Sequence, residues 1–267
     1  MPLFHLFLVA VIQGITEFLP ISSSGHLILL PNLSGLQDQG QVIDVAVHIG
    51  TLFAVCLYFR SEFILSLRGL KDLVVGNRQS AAAKLTLNLI IATIPVVIAG
   101  LALSLTGLDD AMRSIAVIGW AMLVFGVVLY WFDQNGKTTQ TFDQWSLRQS
   151  LIMGLWQTIA LIPGTSRSGI TITGARSMGF DRESAARIAM LMSIPTIVAS
   201  GALMTGEVVA TADLQAAKDG AIAAAFAFLS ALAALSLMMR LLKSVSFTPY
   251  VVYRVILGIA LLVIAYT

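Results

Sequence analysis

The stretch QGITEFLPISSSGH, residues 13–26, returns in altered form as QTIALIPGTSRSGI, residues 157–170. A shift of 144 positions sets Gln13 on Gln157, Ser22 on Ser166, Ser24 on Ser168 and Gly25 on Gly169. The same shift sets Glu17 against Leu161, Ser23 against Arg167 and His26 against Ile170. The framework repeats while the reactive groups differ, which is the composition of a site assembled between two halves. In each copy an apolar run (3–19, 147–162) meets proline and a serine–glycine turn. An apolar piece too short to cross a bilayer follows, 26–31 in the first copy and up to Gly179 in the second. Irregular backbone at membrane depth is tolerated only where protein buries it or it lines a wet cavity. The pattern therefore predicts two re-entrant helical hairpins.

Outward from these motifs the chain is apolar. Of its 267 residues, 57% are hydrophobic and 11% charged, against about a quarter charged in an average soluble domain. A spanning helix needs about 20 mostly apolar residues, and six stretches qualify: 43–60, 86–106, 113–132, 184–206, 219–240 and 248–266. The predicted fold is an all-α polytopic membrane protein with six spanning helices plus the two hairpins. Cys56, the single cysteine, sits in an apolar run and reads as inert filling. Residues 1–12 lack a basic start and a small-residue cleavage pattern, so no cleavable signal is expected. No basic stripe exists, which excludes nucleic acid as a partner.

Charge sets the expected orientation. The loop Arg60 to Lys84 holds five basic and two acidic residues, residues 133–187 hold six basic ones, and Arg240 and Lys243 add two. These 13 of the 16 Lys and Arg fall on one side, which the positive-inside rule makes cytoplasmic. The opposite loops carry Asp109, Asp110, Glu207 and Asp213. Both termini are then outside, with hairpin one entering from outside and hairpin two from the cytoplasm. Three spans between the copies make them inverted repeats, about 1–132 and 133–267, an arrangement typical of secondary transporters. A transporter or lipid flippase is therefore one functional reading, and a structural subunit glued by polar contacts is another.

Gln13 and Glu17, four apart, share a helix face. An ionisable residue inside apolar sequence is by default a functional-site hypothesis, although a carboxylate can also serve as structural glue. The amide and carboxylate oxygens suit a hard divalent cation, Mg2+ or Ca2+. Ser22, Ser23 and Ser24 before Gly25 and His26 form a turn that opens a helix, which suits an anion or an ordinary N-cap. A serine beside a histidine and a carboxylate also resembles an activated nucleophile, and the histidine could itself attack phosphorus. Arg167 cannot shed its charge and needs an anion, either Glu17 or a phosphate. Ser166, Ser168 and Gly169 add neutral donors around it. Arg176 and Arg254 are expected to snorkel toward the membrane surface. Asp44 and His48 could support the site or simply pack.

The pattern Q-G-x-x-E-F-L-P-x-S-S-S-G-H resembles the opening signature of the bacterial undecaprenyl-pyrophosphate phosphatases, also known as bacitracin-resistance proteins. The run from Pro163 to Thr171, P-G-x-S-R-S-G-x-T, resembles their second signature. Agreement continues in DVAVHIGTLFAVCLYFR (44–60), ATIPVVIAG (92–100), ESAARIAMLMSIP (183–195) and YRVILG (253–258). The resemblance spans the whole chain in order. It implies hydrolysis of a C55 isoprenyl diphosphate to the monophosphate carrier of cell-wall precursors. It also implies a bacterial inner-membrane location, an active site open to the periplasm or exterior, and Mg2+ or Ca2+. By motif position Glu17, Ser23, His26 and Arg167 match the family's functional residues. Gln13 occupies a place that is often glutamate, so one metal-binding charge is missing here. The polyprenyl diphosphate and the bilayer are the expected partners, and a homodimer is allowed for.

Overall fold

A computed structural model describes residues 2–27, 40–108, 112, 114–211 and 214–267, with only the backbone described over 203–211. Apart from short 3-10 turns and an isolated bridge between Gln140 and Phe180, the regular structure of the described residues is α-helical. The helices are α1 (Leu3–Phe18), α2 (Ser23–Leu27), α3 (Gly40–Tyr58), α4 (Arg60–Val74), α5 (Ala81–Thr106) and α6 (Ile115–Asn135). Then come α7 (Leu147–Thr158), α8 (Arg167–Ser177), α9 (Arg182–Thr211), α10 (Leu214–Leu241) and α11 (Thr248–Tyr266).

Six of them, α3, α5, α6, α9, α10 and α11, are long and apolar enough to cross a bilayer. They match the six expected spans to within a few residues at either end. The chain is an all-α, multi-pass membrane protein. The second arm of hairpin one beyond Leu27, Asp109, Asp110 and Asp213 all lie outside the described residues, as does the Glu207 side chain.

Within the expected loop Arg60–Lys84, residues Arg60–Val74 form helix α4. Its charges remove it from any count of apolar spans, yet it buries Gly69 against α5, where an added Cβ would meet Ala82 O at 2.2 Å. Thr86 of α5 donates to Ser66 O at 2.8 Å, and Arg187 of α9 pairs with Glu62.

The core sits around α8, buried from Ser168 through Arg176. A helix buried on all sides belongs at the centre of a bundle, and α8 packs against α6, α7 and α9. Two further pairings frame it: α1 lies along α10, and α7 lies along α5.

Arg176 does not snorkel. Its side chain is 1% exposed beside the buried Asp133 carboxylate at 3.4 Å. Its guanidinium donates to the carbonyls of Asp133, Gly136, Lys137 and Phe180. A planar five-donor fork can satisfy a loop's unpaired carbonyls, and here it closes the segment between α6 and α9.

Candidate active site where two serine turns meet

Proline ends both incoming helices. Leu19 and Ile162 precede Pro20 and Pro163 and take extended backbone, with ψ of 144° and 116°, as a residue before proline must when the helical region is crowded out. Ser22 and Ser166, equivalent under the 144-residue shift, both have positive φ, 71° and 68°. For a residue with a Cβ such a backbone costs about 1–3 kcal/mol and persists where surroundings enforce it. The side chains repeat the match: Ser22 Oγ lies 3.1 Å from Ser24 Oγ, and Ser166 Oγ lies 3.1 Å from Ser168 Oγ.

The two turns are stitched to one another. Gly164 N–H donates to Ser24 Oγ at 3.2 Å, while Ser168 Oγ donates to Leu19 O at 2.9 Å. Arg254 of α11 completes the join. Its side chain is fully buried and donates to Pro20 O at 3.3 Å on one turn, and to Gly164 O at 3.2 Å and Thr165 O at 2.8 Å on the other. The expectation that Arg254 snorkels is thereby corrected: its face of α11 looks into the bundle, where three turn carbonyls take the place of water.

Between the turns lies a cavity of about 190 Å³ lined by Thr16, Glu17, Ser22, Ser23, Ser24, His48, Ala160, Ile162, Gly164, Ser166 and Arg167. Arg167 Nη2 donates to Glu17 Oε1 at 2.5 Å, with the two side chains 16% and 8% exposed. Arg167 Nη1 is buried with no partner among the described residues. Gln13 Nε2 donates to Glu17 Oε2 at 2.7 Å and lies 3.1 Å from His48 Nε2, whereas buried Gln13 Oε1 has no partner among the described residues. The carboxylate and that orphaned amide oxygen are hard donors of the type Mg2+ and Ca2+ accept, so the residues present fit such an ion.

Of the residues singled out from sequence, Glu17, Ser22, Ser23, Ser24, Ser166 and Arg167 face this cavity. Ser166 also caps α8, accepting from Gly169 N–H at 3.1 Å. Ser168 serves the stitch. Gly25 and Gly169 are where neighbours come close: an added Cβ would lie 2.6 Å from Met122 Sδ and 2.7 Å from Arg254 Nη1, respectively. His26 is not among the cavity residues. Its Nδ1 donates to Ser22 O and its Nε2 meets the Tyr253 hydroxyl, each at 2.7 Å. It faces an adjoining apolar groove with Ile12, Ile15, Thr16, Ile21, Pro249, Tyr250 and Tyr253. Sequence reasoning placed Arg254 and His48 only loosely and gave Tyr253 no role. The signals were a lone cation inside an apolar span and a histidine four residues after an aspartate.

A family model described as bacitracin resistance protein BacA matches residues 6–260. A curated protein of Jannaschia sp., named undecaprenyl-diphosphatase, is 68% identical over 266 residues, with 100% of each chain covered. One of the same name from Dinoroseobacter shibae is 66% identical over 267 residues, again with 100% of each covered. Another from Maricaulis maris is 43% identical over 98% of this chain and 99% of its own. With two serine turns built and joined in the order of the motifs, and relatives aligned end to end, this chain belongs to the bacitracin resistance protein BacA family.

Proposed function

We infer that the chain hydrolyses undecaprenyl diphosphate to undecaprenyl phosphate and inorganic phosphate. Relatives up to 68% identical and equal in extent carry the name of that activity. One observation in the site carries the chemistry: Arg167 crosses from turn two to the Glu17 carboxylate of turn one and keeps a buried guanidinium nitrogen without an acceptor. A buried unpaired donor is costly, and a phosphoryl oxygen in the serine-lined cavity is the acceptor that would satisfy it.

In this reading Arg167 and the turn N–H groups neutralise charge on the transferring phosphoryl oxygens, the main task in such chemistry. Ser23 Oγ attacks the terminal phosphorus, the bridging O–P bond breaks and the lipid monophosphate leaves. His26, one turn along α2, takes the serine proton. Its Nδ1 donates to Ser22 O, which leaves Nε2, beside the Tyr253 hydroxyl, as the basic nitrogen. Water then cleaves the seryl phosphate. Glu17 and Gln13 would hold a divalent cation, Mg2+ or Ca2+, which when bound would offset diphosphate charge and orient the reacting group. Both turns come from one chain, so the residues assigned here are all supplied by a single protomer.

The charge distribution supports both termini facing outward, with halves 1–132 and 133–267 inserted oppositely, and membership of the family supports a bacterial inner membrane with the cavity open to the outside. A transporter or flippase would move lipid across vesicles without releasing phosphate. The test is phosphate release by purified protein on C55 and shorter prenyl diphosphates, with and without chelator. Arg167→Ala and Glu17→Ala should each lose about 3–4 kcal/mol of transition-state stabilisation, roughly a hundred- to thousand-fold in rate, while remaining folded in detergent. Near-normal release by either variant overturns the assignment.

A further inference from the structure

His48 stands in the site in a way that the phosphatase reading does not use. Its Nδ1 lies 2.7 Å from Asp44 O and must donate there, because a carbonyl only accepts. Nε2 is therefore the bare nitrogen. It sits 3.1 Å from Gln13 Nε2 and 3.9 Å from Glu17 Oε2, and the ring borders the same cavity as Ser23 and Arg167. Two acceptors, one imidazole and one carboxylate, thus converge on a single amide. Gln13 is fully buried, its N–H group bridges both, and its oxygen has no partner among the described residues. Turned about its last bond, the amide would present that oxygen to the same point. Three acceptors converging there would repel one another unless a cation lay between them. The side chain therefore has one arrangement suited to an absent cation and another suited to a bound one.

We propose that His48 Nε2 is a third protein ligand, beside Glu17 and Gln13, for the divalent cation of the phosphatase site. The proposal rests on that cation reading. An imidazole nitrogen makes the donor set softer than oxygen alone, which favours Mn2+ over Ca2+.

The test is pulsed EPR of Mn2+ added to the purified full-length protein, alone and with methylenediphosphonate. Directly bound imidazole gives 14N modulation of the electron-spin echo. The chain has three histidines, so the source is assigned by substitution. The modulation should appear in the wild type and in His26→Gln, and vanish in His48→Gln. Mn2+ affinity should fall at least tenfold in His48→Gln, and the ratio of Mn2+- to Ca2+-supported phosphate release should fall with it. The wild-type spectrum does not depend on any variant folding. Bound Mn2+ without 14N modulation, or modulation that survives in His48→Gln, overturns the ligand and leaves the phosphatase intact. Chelator-insensitive phosphate release with no Mn2+ bound overturns the cation reading and this proposal together.

Discussion

Arg254 shows how much one side chain holds. It is fully buried, no carboxylate among the described residues pairs with its guanidinium, and three carbonyls from two turns share its donors. Removing it would strand those carbonyls at about 1–3 kcal/mol each and leave the stitches at Ser24 and Ser168 and the Arg167–Glu17 pair to hold the turns together. Lysine keeps the charge but has no planar fork to reach both turns. Arg254→Lys should therefore lower kcat by roughly tenfold or more, since the residue sets where Ser23 and Arg167 stand relative to each other. A steady-state assay checks this, and kcat unchanged with only the melting temperature lowered would reduce Arg254 to a packing role. Glu17, Ser23 and Arg167 were legible in the sequence because polar groups inside apolar runs have few other reasons to be there. Arg254 and Arg176 were not, because a single cation near the end of an apolar run reads the same whether its helix face looks outward to water or inward to carbonyls.

Close approach decides which helices can carry the site. Gly14 lets α1 lie against α10: a Cβ there would meet Ser230 Oγ at 2.0 Å, Ala227 O at 2.7 Å and Ala231 N at 2.9 Å. A hydroxyl can rotate away, but helix backbone cannot, so Gly14→Ala must move α1 outward. Gln13 adjoins that position and Glu17 lies one turn beyond it. We expect Gly14→Ala to cut phosphate release at least tenfold with the protein still inserted, whereas Gly201→Ala, whose added Cβ meets no described atom within 4 Å, should be silent in the same assay. Equal activities would show that α1 has room to spare. Helix α4 was illegible as an element because its charges hid it among loop residues. It is tied to α9 by Glu62 and Arg187. Burial raises the Glu62 carboxyl, but the Ser61 hydroxyl, a backbone N–H and Arg187 outweigh it and hold the group below the ordinary value of 4.5. A lowered folded pKa stabilises above the unfolded value, and that contribution is lost as pH falls through the folded one. Glu62→Gln should thus lower the melting temperature at pH 7 by no more than about 4 °C, as a part-exposed ion pair allows. The gap from wild type should narrow as pH falls below that ordinary value, and a gap that does not narrow on acidification would mean the pair is not what titrates.

At the scale of the whole molecule, hydropathy and charge specified six spans and their ends, because a bilayer imposes length and composition directly. How the spans pack was hidden, since lipid-facing and bundle-facing leucines look alike in sequence. The packing leaves two adjoining apolar grooves. One, about 410 Å³, contains Thr16 and His26; the other, about 490 Å³, is lined by Leu19, Ala233, Ala234 and Leu237. Ile15, Pro249 and Tyr250 belong to both. A prenyl tail anchored by its diphosphate in the serine-lined cavity would leave along this path. Water exclusion cannot be what draws it in, because lipid is already as apolar as the groove wall. The groove must act by shape, holding the first isoprene units so that the diphosphate arrives in one orientation. Ala234→Trp fills that space without touching the polar cavity. We expect it to lower kcat/KM for the C55 diphosphate about tenfold while a C10 diphosphate, too short to extend far along the path, loses less than twofold. Parallel losses for both chain lengths would place the tail elsewhere, and the groove would then be an ordinary lipid-facing surface between α1, α10 and α11.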